Sequence, residues 1–176
     1  MGFILAQVFG IIALILVAIG YFMKSKSAFL IYQVVADFFY ALAYIVVDAW
    51  TAGIITMISL VRCIFLYFAE KKNLKHTTEF LFIFVFFYIL ISVIFWAGPL
   101  DLMPLATCIM FTFGYEIKNM QVMRYFLIIP NVILVIYNIL TTTYASALLD
   151  FMDIAVIVAS IIKFYKIYNK KIIDKG

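Results

Sequence analysis

An aspartate and an arginine stand in the middle of two neighbouring apolar runs. Asp37 lies in the run 28–47 and Arg62 in the run 52–69. In hydrocarbon either charge is costly, and it persists only where it faces a partner, a cavity or a ligand. If both runs are membrane helices, Asp37 and Arg62 each lie roughly 12–14 Å from the same membrane face at about 1.5 Å of rise per residue. An ion pair between them is therefore within reach. It reads either as a structural salt bridge that sets helix packing or as a pair that opens to a ligand. Lysine supplies eleven of the thirteen basic residues, yet an arginine stands at the midplane. Its planar fork stays charged and can grip a carboxylate through two parallel hydrogen bonds.

Other polar residues keep the same company. Gln33, Asp37, Tyr40 and Tyr44 follow one another at steps of four, three and four, which places them on one helical face. Thr56, Ser59 and Arg62 mark the next helix. Later in the chain Asn131, Asn138 and Thr142 fall at steps of seven and four, again on one face. Asp153 is a second deep acid, either a structural group or a proton or cation site, and Asp150 lies one turn nearer the surface. Pro130 removes one backbone hydrogen bond inside an apolar run and reads as a static kink or a gating hinge. The candidate substrate-binding set is thus Arg62, Asp37, Tyr40, Asn138, Asp153, Gln33, Ser59 and Asn131, with Pro130 as the candidate hinge.

The elements that must position these residues follow from composition. Of 176 residues 68% are hydrophobic and 12% charged, and the mean hydropathy is +1.19. These values belong to an integral membrane protein and leave nothing over for a soluble domain. A helical span takes about 20 apolar residues. Seven spans are expected, at 3–23, 28–47, 52–69, 80–97, 102–117, 122–144 and 145–164. The first is read as a span rather than a cleaved signal, because no basic residue precedes Phe3 and no small-residue cleavage site leads into soluble sequence. Twelve of the thirteen basic residues fall in the turns on one side, and Arg62 is the thirteenth. The positive-inside rule then puts the N-terminus outside and the C-terminus in the cytoplasm.

A weak repeat divides the chain. Gly20-Tyr21 before Lys24 matches Gly114-Tyr115 before Lys118, Tyr40 falls opposite Asn138, Tyr44 opposite Thr142, and Lys71-Lys72 opposite Lys170-Lys171. The expected architecture is an all-α, single integral membrane domain over 1–176 in a 3+1+3 parallel pseudo-repeat. A first triple spans 3–69, a linker helix 80–97, a second triple 102–164, and a basic cytoplasmic tail 165–176. Parallel repeats of this kind are a known transporter plan. The Phe-rich linker helix reads as lipid-facing, and Trp50 and Trp96 as interfacial anchors.

Several classes are excluded or disfavoured. A retinal protein needs a lysine midway along the seventh span, and Lys163 stands at its end. The glycine–aspartate setting of an intramembrane aspartyl protease is absent around Asp37 and Asp153. No Gly-rich phosphate loop and no nucleophile with a base partner is present, so no enzyme is expected. His76 has no second metal-ligating residue near it, and Cys63 and Cys108 read as reduced packing groups. Neither a metal, a cofactor nor a nucleic acid is expected as a partner.

With these residues in view, the chain resembles the YgjV-type bacterial inner-membrane proteins. The likeness is carried by Leu5-Ala6-Gln7 with Gly10 and Ile12-Ala13, by Thr51-Ala52-Gly53 and Ser59 to Arg62, by Leu102-Met103-Pro104, by Tyr137-Asn138, and by the run from Ile161 to Tyr165. That family is similar to the superfamily of SWEET sugar transporters, PQ-loop proteins and vitamin transporters of the nicotinamide-riboside type. Its own activity is unassigned. Ser59 and Tyr137 stand where the family tends to have Asn and His, and a His is also usual near Tyr44, which leaves no imidazole here to carry a role. Pro130-Asn131 resembles one PQ pair, while Tyr32-Gln33 lacks the proline of the other. The resemblance implies a small-molecule transporter or facilitator in the inner membrane, with a polar midplane site between two halves that rock. The alternative is a membrane receptor or accessory subunit whose polar core is structural. The expected partners are the lipid bilayer and a small polar molecule of unknown identity, with homo-oligomerisation left open.

Overall fold

The computed structural model describes residues 2–74 and 77–173, with side chains for 4–74, 77–144 and 146–167. Lys75, His76 and Lys175, and the side chains of Lys170 and Lys171, lie outside the described residues. Seven α-helices account for nearly all of what is described. They are α1 (Gly2–Tyr21), α2 (Lys26–Val46), α3 (Trp50–Lys72), α4 (Thr77–Ile94), α5 (Leu102–Gly114), α6 (Met120–Leu140) and α7 (Tyr144–Ile173). Local sequence sets their ends. The Ser25 side chain caps α2 by accepting from the Ala28 amide at 3.3 Å, and Asn119 caps α6 by accepting from Gln121 and Val122 at 2.9 and 3.3 Å. Asn73 ends α3 in the left-handed conformation at φ 50°.

Five of the helices, α1, α2, α3, α4 and α6, are long and apolar enough to cross a membrane. The fifth expected span is shorter than the hydropathy suggests. Pro99–Asp101 forms a 3-10 turn closed by Asp101, whose carboxylate accepts from the amides of Ala97 and Gly98 at 2.6 and 3.0 Å. Only thirteen residues then follow as α5, a rise of roughly 20 Å. Thr142 also departs from expectation. It lies beyond α6, in a turn at φ 58°, and so does not share a helical face with Asn131 and Asn138.

The two turns at the lysine-poor end are built alike. After α2, the amide of Asp48 bonds the carbonyl of Ile45 and that of Ala49 the carbonyl of Tyr44. After α6, the amide of Thr142 bonds Ile139 and that of Thr143 bonds Asn138. Both are Schellman closures around a left-handed residue. A separation of 94 positions relates Asp48 to Thr142, Ser25 to Asn119, Lys26 to Met120 and Trp50 to Tyr144. In that register Tyr44 corresponds to Asn138 and Asp37 to Asn131. The sequence pairing of Tyr40 with Asn138 and of Tyr44 with Thr142 differs from that register by one helical turn.

Helices pack in chain order. Each of α1 to α6 contacts its successor, and α7 returns to α1, so the seven form a closed ring. Apolar surface is exposed all around the wall, most of all on α4, where only Leu81 and Tyr88 are buried. That distribution suits hydrocarbon outside and polar groups inside. Trp50 and Trp96 are exposed at the lysine-poor rim. The buried core gathers toward the lysine-rich end, around Tyr21, Phe29, Leu30, Leu66, Tyr115 and Leu127.

Glycine permits the close approach of α5 and α6. A Cβ at Gly114 would stand 2.9 Å from both Leu127 Cδ2 and Phe126 Cδ1, whereas one at Gly10 would meet nothing within 4 Å. Gly114→Ala is expected to destabilise the protein by about 1 kcal/mol or more through overpacking. Gly10→Ala is expected to leave stability unchanged or raise it by a few tenths of a kcal/mol or more, as the better helix former. Thermal unfolding of the two variants in one detergent checks this order.

Candidate functional site

Inside the ring lies one cavity of roughly 570 Å³ to which every helix contributes side chains. It takes in all eight of Arg62, Asp37, Tyr40, Asn138, Asp153, Gln33, Ser59 and Asn131. Thr51, Ala52, Phe95, Asp101 and Ser146 place its upper part at the lysine-poor end of the bundle. Tyr21 and Tyr115, at the other ends of α1 and α5, form its floor. Four aspartates (Asp37, Asp101, Asp150 and Asp153) line it against a single cation, Arg62.

Arg62 and Asp37 form no ion pair within 4.0 Å. Instead Arg62 is drawn across the cavity to α5. Its Nη1 donates to Thr112 Oγ1 at 2.9 Å, and the Cys108 carbonyl lies at 3.5 Å. The guanidinium carbon stands 5.1 Å from the Tyr115 ring centroid and 5.9 Å from that of Tyr88, which are cation–π distances. Asp37 is held on its own helix, where Oδ1 accepts from Gln33 Nε2 at 2.9 Å. Of the two expectations for this pair, a closed salt bridge is therefore not what the structure contains. A fixed position for Arg62 comes from hydroxyl, carbonyl and ring partners, so its charge is not cancelled by direct contact with Asp37.

The remaining candidates divide between anchored and free atoms. Ser59 Oγ and Tyr88 Oη are 2.8 Å apart and tie α3 to α4. Asn138 Nδ2 donates to Asp150 Oδ2 at 2.6 Å, while Asn138 Oδ1 accepts from Thr143 Oγ1 at 2.8 Å. Asn131 Nδ2 donates to the Leu127 carbonyl at 2.7 Å beside Pro130, where α6 continues without a break. Four buried side-chain atoms among the described residues have no hydrogen-bond partner: Gln33 Oε1, Asp37 Oδ2, Arg62 Nε and Asp153 Oδ1. All four belong to residues of the cavity. Buried polar groups without a protein partner are rare, and the gathering of four around one cavity means that their partners must come from what fills it, water or a solute.

Below the cavity the bundle is shut by two layers. Tyr21, Phe29 and Tyr115 make a chain of ring contacts from α1 through α2 to the end of α5, with centroids 5.5 and 5.3 Å apart. Beneath these rings two buried cations cross between helices. Arg124 on α6 donates from Nε to the Tyr21 carbonyl at 3.1 Å and from Nη2 to the Met23 carbonyl at 2.6 Å, with Phe164 of α7 stacked at 4.2 Å. Lys26 on α2 donates to the Glu116 carbonyl after α5 at 2.6 Å and lies 3.4 Å from Glu70 of α3. Arg124 thus ties down carbonyls at the C-terminal end of α1, and Lys26 one just beyond that of α5, where the helix dipole favours positive charge.

Charge counting in the sequence used Lys26 and Arg124 only as markers of orientation. Their neighbours in the chain offer no hint of the carbonyls they reach, which are about a hundred residues distant. Tyr88 was hidden among phenylalanines, and its hydroxyl was the available signal. The floor was signalled by the repeated Gly-Tyr pair, which alone does not distinguish a gate from a packing motif. Cys63 and Cys108 are both free, and only Cys108 lines the cavity. A small water-soluble methanethiosulfonate is expected to modify Cys108 at least about tenfold faster than the fully buried Cys63, by thiolate access. Mass spectrometry of single-cysteine variants checks this, and equal rates would contradict the cavity.

No curated protein and no solved structure matches the chain. One protein-family model does, over residues 4–168. It describes bacterial inner membrane proteins, in agreement with the apolar helices and the polar interior described above. The chain belongs to the Imp-YgjV family of bacterial inner membrane proteins and is a multi-pass protein of that membrane.

Proposed function

We propose that this protein is a transporter or facilitator for a small polar molecule, and not an enzyme. The carrying observation is the cavity of roughly 570 Å³, which runs from the lysine-poor end to a floor closed by rings and by the Lys26 and Arg124 clamps. We read 1–176 as one integral domain whose α1–α3 and α5–α7 are copies in a 3+1+3 plan, with α4 as the linker. The constant separation of 94 positions supports this reading. With the lysine-rich side in the cytoplasm, the cavity faces the periplasm.

Alternating access then needs the two copies to rock until the clamps part and the rim closes. Pro130, buried in α6 beside the Asn131–Leu127 bond, is the proposed hinge. The carbonyls released by Lys26 and Arg124 lie at helix ends, where water can take the place of the cations. Opening there is therefore cheaper than breaking a helix in mid-membrane. The competing reading is a receptor or accessory subunit with a structural polar core. It calls for a filled interior and a closed Asp37–Arg62 pair, and the cavity and the separated charges favour transport instead.

Proteoliposome uptake of labelled sugars, nucleosides, vitamins, organic acids and amines tests the proposal. At least one class is expected to enter saturably. Arg62→Lys is expected to cut its initial rate by about tenfold, because a lysine lacks the planar fork that holds Thr112 and the ring faces together. Lys71→Ala, exposed at the lysine-rich end, is expected to leave the rate unchanged. Saturable uptake that survives Arg62→Lys would remove Arg62 from the site, and no uptake of any class would favour the receptor reading.

A further inference from the structure

We infer that the cavity takes a protonated amine, a small organic cation, held between Asp37 and Asp153 against tyrosine faces. The inference rests on the transport reading for its purpose but on separate observations for its chemistry. First, the unsatisfied atoms are lopsided. Three are acceptors, on Gln33, Asp37 and Asp153, and one is a donor, on Arg62. Gln33 and Asp37 are more than nine-tenths buried, with 8% and 5% of their surfaces exposed. A ligand that completes such a set must bring hydrogen-bond donors, and an ammonium brings three of them together with a positive charge that a neutral hydroxyl lacks.

Second, the charge is lopsided in the same sense, with four lining aspartates against one arginine. Asp101 and Asp150 each have one oxygen engaged, by the backbone turn and by Asn138. Asp37 and Asp153 each hold a buried oxygen with no protein partner, and neither makes an ion pair within 4.0 Å among the described residues. Third, the two lie on the same side of the ring. Asp37 is on α2 and Asp153 on α7, and both of these helices pack against α1. Tyr21 of α1 and Tyr40 of α2 line the same cavity as both carboxylates. Arg62 leans the other way, toward α5, where Thr112 and the Tyr115 ring hold it. A cation between the aspartates therefore faces anions and ring faces, and the tyrosine rings suit its C–H and ammonium surface. No cluster of three or more His, Cys, Asp or Glu among the described residues could hold a metal ion instead.

The test is calorimetric titration of the purified protein with three probes of one length: 1,4-diaminobutane, neutral 1,4-butanediol and dianionic succinate. At about pH 7.5 the diamine is charged. It is expected to bind saturably, and at least about tenfold more tightly than either other probe, as expected for charge-assisted hydrogen bonds. Asp153→Asn and Asp37→Asn are each expected to weaken it by about tenfold or more by the same reasoning, while Asp48→Asn, exposed outside the cavity, leaves it unchanged. Should Asp37→Asn fail to fold, Asp153→Asn carries the comparison, with its melting temperature as the check on structure. Tighter binding of the diol or succinate, no diamine binding, or undiminished diamine binding by a folded Asp153→Asn overturns the inference. Uptake separates it from the transport reading. Saturable uptake of a neutral or anionic solute would sink the amine site alone, whereas amine binding without uptake of any solute would sink transport alone.

Discussion

Hydrocarbon offers no hydrogen bonds, so polar groups at its depth have to be answered within the protein. That constraint shapes the ring. Its outer wall is Ile, Val, Leu and Phe, and its polar side chains turn inward from every helix. Most of them find a partner there: Ser59 with Tyr88, Asn138 with Asp150, Arg62 with Thr112. The exceptions on Gln33, Asp37, Arg62 and Asp153 share one cavity, where a solute can answer them.

The two ends of the cavity are built from different materials. At the lysine-rich end the closure is double, with aromatic rings above and Arg124 and Lys26 clamps below. These clamps act on backbone carbonyls, which every residue type supplies, so the closure depends on where α1 and α5 end rather than on what they end with. Gly20 and Gly114 fit this picture, since both sit at those ends where a following helix comes close. At the opposite end the turns after α2 and α6 are closed by Schellman bonds and Asp101 pins its own turn. There Asn138 and Asp150 join the neighbouring helices α6 and α7, and no cation clamp is found at that end among the described residues.

Much of this was legible in the sequence because membrane helices state their presence in hydropathy and their inner faces in polar spacing. The steps of four, three and four from Gln33 to Tyr44 put those residues on one face, and the structure has all four in the cavity. That the two charges belong to one interior was legible as well, since Asp37 and Arg62 stand on adjacent helices and line the same cavity. Partners were not. Whether Arg62 meets Asp37 or Thr112 depends on how α5 approaches, and helix approach is decided by packing that a single span does not encode. Thr142 was misplaced because helical periodicity continues through a residue that the chain uses to turn. The pairing of Tyr40 with Asn138 differs by one turn from the register of caps and turns for a related reason: caps and turns are set by backbone role and not by side-chain likeness. Ser25 with Asn119 and Asp48 with Thr142 mark the register by backbone role, and neither of these two pairs is identical in type.

The central claim is that the lysine-rich end opens when Lys26 and Arg124 let go. Lys24 and Lys118 are exposed in the turns after α1 and α5, beside those clamps. Spin labels at Lys24→Cys and Lys118→Cys, with Cys63 and Cys108 replaced by alanine, report the distance across that end by pulsed electron resonance. One short distance population is predicted for the protein with its clamps intact. A second, longer population is predicted to grow when Lys26→Gln and Arg124→Gln are added. A single unchanged distance in the clamp variants, with the fold retained, would contradict the account.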